Sequence, residues 1–210
     1  MIAWVFDVDS LLNGDNDSNQ WFLNWATDKS IYLLTDKDRA EVAQVLPFEI
    51  HTLPKICFYC MGNTIISYDE ITKINHFKLT EEEHNWLSNL GPVTVKDGCV
   101  SVKYEAVSLD IVAEFNNRFN RLEAFINDKT MVVVRRGAHS KITFTLIQQL
   151  PNVDLITFIG SKFDEGEIFK HFVDTNIVYQ GHVIKSTSLM ETKWKLKNSW
   201  RNYEINRMWR

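Results

Sequence analysis

The opening stretch Ile2-Ala3-Trp4-Val5-Phe6-Asp7-Val8-Asp9 constrains this chain more than any other. A short, unbroken apolar run closed by acids reads as a strand buried on both faces, as in a parallel sheet, with its carboxylates at the sheet's edge. The form recurs at Ile31 to Leu34, which ends in Thr35, at Ile56 to Tyr59, and at Leu155 to Ile159, which runs into Gly160-Ser161. Helical patterns separate these runs at Trp21 to Trp25, Arg39 to Leu46, Lys141 to Leu150 and Glu167 to Phe172, and Ile177-Val178 suggests one more strand. Strands alternating with helices predict an α/β fold with a Rossmann-like parallel-sheet core and ligands at the strands' carboxyl ends.

The middle of the chain changes character after the turn signal Gly62-Asn63. Thr80 to Leu90 opens with a Thr80–Glu83 capping-box pattern and predicts a helix. Val100, Val102 and Tyr104 alternate with polar residues as in a half-exposed strand, and Met131 to Val134 reads as another. Ile111, Phe115, Phe119, Leu122 and Ile126 fall on one face of a helix. Residues 73–137 are therefore expected to form a small α+β insert in a core made of residues 1–72 and 138–210.

A chain of 210 residues suits a core domain plus such an insert. No apolar run approaches the ~18 residues of a membrane span, and the start lacks the basic, longer apolar form of a secretory signal. A cytoplasmic protein is expected, and an odd cysteine count (Cys57, Cys60 and Cys99) fits reduced thiols there. Cys57 and Cys60 match C-x-x-C, but in a strand residues three apart face opposite sides and do not share a metal. A net charge of −4 argues against general nucleic-acid binding. The tail, residues 193–210, is the exception, with six basic residues against one acid and Trp194, Trp200, Tyr203 and Trp209 among them. A terminal amphipathic helix docking its aromatics on its own acidic domain is the preferred reading, ahead of a nucleic-acid or acidic-protein partner. Asp15-Asn16-Asp17-Ser18-Asn19 begins like a calcium loop, but Gln20 and Ala26 stand where its glycine and glutamate belong, so it reads as a polar loop.

Chemistry gathers where polar groups follow the apolar runs. Of two carboxylates one residue apart, Asp7 can attack a phosphorus atom while Asp9 moves a proton. Thr35 offers a hydroxyl at a strand tip. Ser140-Lys141 opens a helix, where a cation and free N–H groups favour an anion. Asp164 and Glu165, following Ile159-Gly160-Ser161, are acids able to hold Mg²⁺. His139 reads as structural or cap-facing.

In this order and spacing the chain resembles the haloacid dehalogenase superfamily over nearly its whole length. It is most similar to the branch with a large (C2) cap between motifs two and three, which includes the Cof-type sugar phosphatases, trehalose-phosphate phosphatases and phosphomannomutases. Met61-Gly62-Asn63-Thr64-Ile65-Ile66 looks like the segment before that cap, and Arg136-Gly137-Ala138-His139-Ser140-Lys141 like the return to the core. The resemblance implies a Mg²⁺-dependent phosphatase of a small phosphorylated metabolite, a sugar phosphate among the candidates. In it Asp7 is the nucleophile that becomes an aspartyl-phosphate, and Asp9 is the proton donor and then the base. Thr35 and Lys141 hold phosphoryl oxygens, and Mg²⁺ sits between Asp7, the Asp9 carbonyl and Asp164 or Glu165.

This sequence departs from the family pattern in three places. Ser10-Leu11 replaces Gly-Thr after the second acid, Asp36-Lys37 replaces Gly-Arg after Thr35, and Gly160-Ser161 replaces Gly-Asp at the direct metal ligand. These changes motivate a second reading, in which the phosphatase fold serves binding or scaffolding rather than catalysis.

Overall fold

The computed structural model describes residues 2–60, 64–67, 70–74, 78–96, 98–103, 108–127, 130–136, 153, 155–161 and 181–208. The chain divides into two units: residues 1–34, 39–57 and 144–210 form the first, and residues 35–38 and 58–143 the second. Lys141, Asp164, Glu165 and His139 lie outside the described residues. So do Gly62-Asn63, Tyr104, the expected helices over 141–150 and 167–172, and Ile177-Val178.

In the first unit, β1 (Ile2–Phe6), β2 (Ser30–Leu34), β3 (Ile56–Tyr59), β10 (Leu155–Ile159) and β11 (Gly181–Ile184) lie in the order β11-β10-β1-β2-β3, and β3 carries the chain into the second unit. β1 runs parallel to β2 and β10, and β10 parallel to β11. The fold is α/β, as the apolar runs predict. Ala3, Val5, Phe6, Ile31, Leu33, Ile156, Phe158 and Ile159 are almost wholly buried, because a central parallel strand is covered on both faces.

Helix α1 (Asn16–Ala26) lays Phe22 and Trp25 against β1. Phe6 meets Phe22 edge-on at 5.3 Å, and Trp4 meets Trp25 edge-on at 5.0 Å. The segment expected as a polar loop is largely the start of this helix. The Asp15 carboxylate accepts the Ser18 N–H at 2.7 Å and caps it, and hydrogen bonds from the Ser18 hydroxyl and then its N–H hold the Asp15 carboxyl below its ordinary range. Helices α2 (Arg39–Val45) and α3 (Phe48–His51) follow β2. The unit ends with α6 (Leu189–Met208), which buries Leu189, Thr192 and Leu196. Of the aromatics expected to dock, Trp194 is corrected: it is 65% exposed and its ring stands in solvent, while the side chains of Trp200, Tyr203 and Trp209 lie outside the described residues. Among the described residues, no helix is long and apolar enough to cross a membrane.

In the second unit, β4 (Thr64–Ser67) pairs antiparallel with β5 (Glu70–Ile74). A separate antiparallel sheet has the order β6-β7-β9-β8, formed from Val93–Val95, Val100–Lys103, Thr130–Arg135 and Leu122–Asn127 respectively. Helices α4 (Glu81–Ser88) and α5 (Leu109–Arg118) complete a core of Leu87, Val102, Phe115, Leu122, Met131 and Val133. The alternate β9 residues Val132 and Val134 pack with Cys60 and Cys99 instead, as a period of two requires.

The single helix face expected from Ile111 to Ile126 is corrected here. Helix α5 stops at Arg118, Phe119 leaves the helical region, and Leu122 and Ile126 belong to β8. The Asn116 amide fixes the turn-over, accepting the Ala124 N–H at 2.7 Å and donating to the Ala124 carbonyl at 3.0 Å.

The expected Thr80–Glu83 capping box is present, and Glu83 also takes a fork of hydrogen bonds from Arg121. Burial pushes the Glu83 carboxyl up, but the bonds from Arg121 and Thr80 outweigh it and hold the group below its ordinary range. A depressed carboxylate stabilises the fold at neutral pH, and that contribution is lost as pH falls through the folded-state pKa. Arg121→Ala is expected to cost roughly 2–3 kcal/mol at pH 7, below the range for a wholly buried pair because Arg121 is itself half exposed. The stability gap between the proteins should narrow on acidification, as protonation removes the uncompensated charge. Urea titrations at pH 7 and pH 4 check this, and a constant gap would assign the loss to packing alone.

Candidate functional site

Register brings the first and fourth sequence motifs to one edge. Phe6 pairs with Ile159, and Ile159 pairs with Ile184. The ladder continues one step further, with Asp7 N–H on the Ile159 carbonyl at 3.0 Å and Gly160 N–H on the Ile184 carbonyl at 3.0 Å. Asp7, Gly160 and Lys185 therefore stand one residue past the last pair, at the carboxyl ends of β1, β10 and β11.

The Asp7 side chain is buried, at 4% exposure, and one of its oxygens is fixed. Oδ1 accepts the Ser10 N–H at 2.8 Å, while the Ser10 hydroxyl donates to the Asp7 carbonyl at 2.8 Å. Both bonds close the 3₁₀ turn Asp9–Leu11, which turns the chain immediately after β1. The other carboxylate oxygen lies against Gly160. A Cβ at that position would fall on the Asp7 carboxylate, deep inside van der Waals contact with Oδ2 and Cγ. The absence of a side chain at Gly160 is what makes room for the carboxylate. Asp9 is half-buried on the same turn.

Ser161 is exposed, and its carbonyl accepts Lys185 Nζ at 3.3 Å. The loop residue Thr35 belongs to the second unit. Its N–H donates to the Phe58 carbonyl at 3.0 Å, and its hydroxyl accepts the Lys37 N–H at 3.1 Å and donates to Asp36 Oδ1 at 3.5 Å. In the same unit, Cys60 and Cys99 pack together, and their mutual hydrogen bond and burial push the Cys99 thiol far up.

The described donors suit a hard cation in kind. The Asp7 carboxylate and the Asp9 carbonyl are oxygen ligands of the sort Mg²⁺ takes. The Asp9 carbonyl also accepts the Leu12 N–H at 3.3 Å. Ser161 adds an oxygen but no charge. Among the described residues no group of three His, Cys, Asp or Glu side chains converges on a metal site, and Asp164 and Glu165 lie outside them.

The site also has parts the sequence did not signal. The Ser10 carbonyl accepts the Thr192 hydroxyl at 2.9 Å across 182 positions, and Thr192 meets Ser186 at 2.8 Å. Only a Ser188-x-x-Glu191 cap pattern marks the neighbourhood in the sequence, and it announces a helix start rather than a partner for Ser10.

No protein-family model and no curated protein matches the sequence. Solved structures do. A sugar phosphatase of haloacid dehalogenase subclass IIB aligns over 98% of this chain and 100% of its own, with a TM-score of 0.67 and 10% identity. The chain has the haloacid dehalogenase fold. The C-terminal domain of Candida albicans trehalose-6-phosphate phosphatase matches over 83% of this chain and 74% of its own, with a TM-score of 0.62 and 11% identity. The Thermoplasma acidophilum protein 0175 covers 94% of this chain and 97% of its own, with a TM-score of 0.62 and 12% identity. The haloacid dehalogenase fold thus persists at identities where only architecture is shared, and in it Asp7 closes the first strand.

Proposed function

We propose that the protein hydrolyses the phosphomonoester of a small phosphorylated metabolite, with sugar phosphates as first candidates, through an aspartyl-phosphate on Asp7. The observation that carries this reading is the seat of Asp7: a buried carboxylate one residue past a central parallel strand, held by Ser10 N–H and packed on Gly160, with Asp9 on the next turn. The named activities of the similar structures, sugar phosphatase and trehalose-6-phosphate phosphatase, support it.

In this mechanism an Asp7 oxygen bonds to phosphorus as the ester P–O bond breaks, and Asp9 gives its proton to the departing oxygen. Asp9, now a base, takes a proton from water, and that water's oxygen attacks the phosphorus of the acyl phosphate. Inorganic phosphate leaves and the Asp7 carboxylate returns. Thr35 donates its hydroxyl proton to a phosphoryl oxygen, and Lys141 lends it a positive charge. Asp7, the Asp9 carbonyl and Asp164 or Glu165 would hold Mg²⁺, which when bound neutralises phosphoryl charge.

A screen of phosphorylated metabolites with Mg²⁺ and Mn²⁺ tests the proposal, read as released inorganic phosphate. One substrate class should turn over, and chelation should stop it. Beryllium fluoride should also bind at Asp7 as a phosphoryl mimic. A folded protein inert across the panel and blind to beryllium fluoride would overturn the reading and favour a binding role, which the neutral Ser161 at the metal-ligand position already suggests as the alternative.

A further inference from the structure

We propose that Thr192, on the first turn of α6, is a positioning residue for Asp7, acting through the backbone of Ser10; the catalytic part of this inference rests on the phosphatase reading above.

Ser10 stands where the family resemblance expects glycine, and its side chain is put to use. It touches Asp7 twice, from its N–H to Oδ1 and from its hydroxyl to the carbonyl, each at 2.8 Å. The remaining polar group of Ser10, its carbonyl, accepts the Thr192 hydroxyl at 2.9 Å. Thr192 also lies 2.8 Å from Ser186, whose hydroxyl reaches the Ser188 carbonyl at 3.0 Å. Ser10, Thr192 and Ser186 are buried, at 0%, 0% and 1% exposure, so bulk water cannot substitute for any of them.

Proton counting fixes the direction. A carbonyl only accepts, so Thr192 must be the donor to Ser10. Its one proton is then spent, and the contact with Ser186 is made with Ser186 as donor, in competition with the Ser188 carbonyl. The order that satisfies the most buried groups runs from Ser186 to Thr192 to Ser10, and from Ser10 to Asp7.

The donor is itself rigidly held. Ser188 caps α6 by accepting the Glu191 N–H at 3.2 Å, and Glu191 reaches back to the Thr187 N–H at 2.8 Å. Leu189 N–H donates to the Leu12 carbonyl at 2.8 Å, and Leu189 and Leu196 are buried. The turn that orients Asp7 is thus braced from a helix at the other end of the chain. Thr192→Val removes one proton donor and keeps the shape, while the Leu189–Leu12 bond keeps the helix docked.

The test compares wild type, Thr192→Val, Thr192→Ser and, should the valine protein misfold, Thr192→Ala, each checked for cooperative melting. The first readout is amide hydrogen exchange at Ser10, which reports the bond to Asp7 Oδ1 whatever the protein's activity. Exchange should speed up at least tenfold without the hydroxyl and return to within threefold of wild type in Thr192→Ser. An unchanged Ser10 amide in a folded Thr192→Val or Thr192→Ala protein overturns the proposal. The second readout is beryllium fluoride binding, followed by fluorine NMR, together with p-nitrophenyl phosphate turnover. The hydroxyl-free variants should lose at least tenfold in kcat with KM nearly unchanged and bind beryllium fluoride more weakly, and Thr192→Ser should recover both. A wild-type protein silent to both probes would remove the phosphatase reading alone, leaving the bracing of Ser10 to be decided by exchange. Normal kcat and normal fluoride binding beside a loosened Ser10 amide would overturn the positioning role.

Discussion

Asp7→Asn is expected to lower turnover by at least ~10³-fold while leaving the fold intact, because an amide oxygen cannot form the aspartyl-phosphate. The two effects separate cleanly at this residue. Oδ1 accepts the Ser10 N–H at 2.8 Å, and the asparagine oxygen can accept the same bond, so the turn after β1 keeps its tie. The Ser10 hydroxyl bonds to the Asp7 backbone carbonyl, which the substitution does not touch. Stability should change by no more than about 1 kcal/mol, the size of one ordinary hydrogen bond. Phosphate release, chemical denaturation and beryllium fluoride binding measured on both proteins check the prediction. Residual activity above a tenth of wild type would place the nucleophile elsewhere.

Gly160→Ala should damage activity and stability together. The added methyl group falls on the Asp7 carboxylate, and neither partner can withdraw freely. Asp7 N–H is bonded to the Ile159 carbonyl and Gly160 N–H to the Ile184 carbonyl, so both backbones are pinned in the ladder. The carboxylate must swing away from Ser10 N–H, or β1 and β10 must part. A lost buried hydrogen bond costs about 1–3 kcal/mol, and overpacking costs about as much again, giving roughly 2–6 kcal/mol in total. A nucleophile displaced by an ångström should also lose on the order of 10²-fold in kcat. Thermal melts and initial rates test both halves. A Gly160→Ala protein that melts and turns over like wild type would show that the carboxylate is free to move, and the seat described above would fall.

The contrast with Arg121→Ala is instructive. That substitution acts in the second unit, on the Glu83 ion pair, and its signature is a stability loss that shrinks in acid. Gly160→Ala is steric, and its stability loss should persist across the same pH range.

Much of the core was legible because its signals are local. An apolar run such as Ile2 to Phe6 is buried on both faces wherever it sits in a parallel sheet, so its composition alone announces the strand. The acids that end the run fall at the sheet's edge by chain continuity. The Thr80–Glu83 cap was readable for the same reason: its two bonds close within three residues.

Short periodic signals were ambiguous where two periods share residues. Phe115, Phe119, Leu122 and Ile126 fit a helix, yet Leu122, Ala124 and Ile126 also alternate as a strand does. Pairing with β9 and the Asn116 bonds to Ala124 decide for the strand, and both are contacts with residues outside the pattern. Strand β11 was missed because Gly181-His182-Val183-Ile184 is too short and mixed to announce itself, and its place beside β10 is what makes it a strand.

The sequence by itself therefore determined the parallel core and the place of Asp7 and Asp9 just past its first strand, because each depends on residues adjacent along the chain. Only the tertiary structure decided what holds Asp7: a glycine on β10's end, a turn closed by Ser10, and a threonine 182 positions beyond it. Hydrogen bonds and steric contacts act over about 3 Å in space whatever the separation in sequence, so no local pattern could have paired Thr192 with Ser10 before the sheet and α6 brought them together.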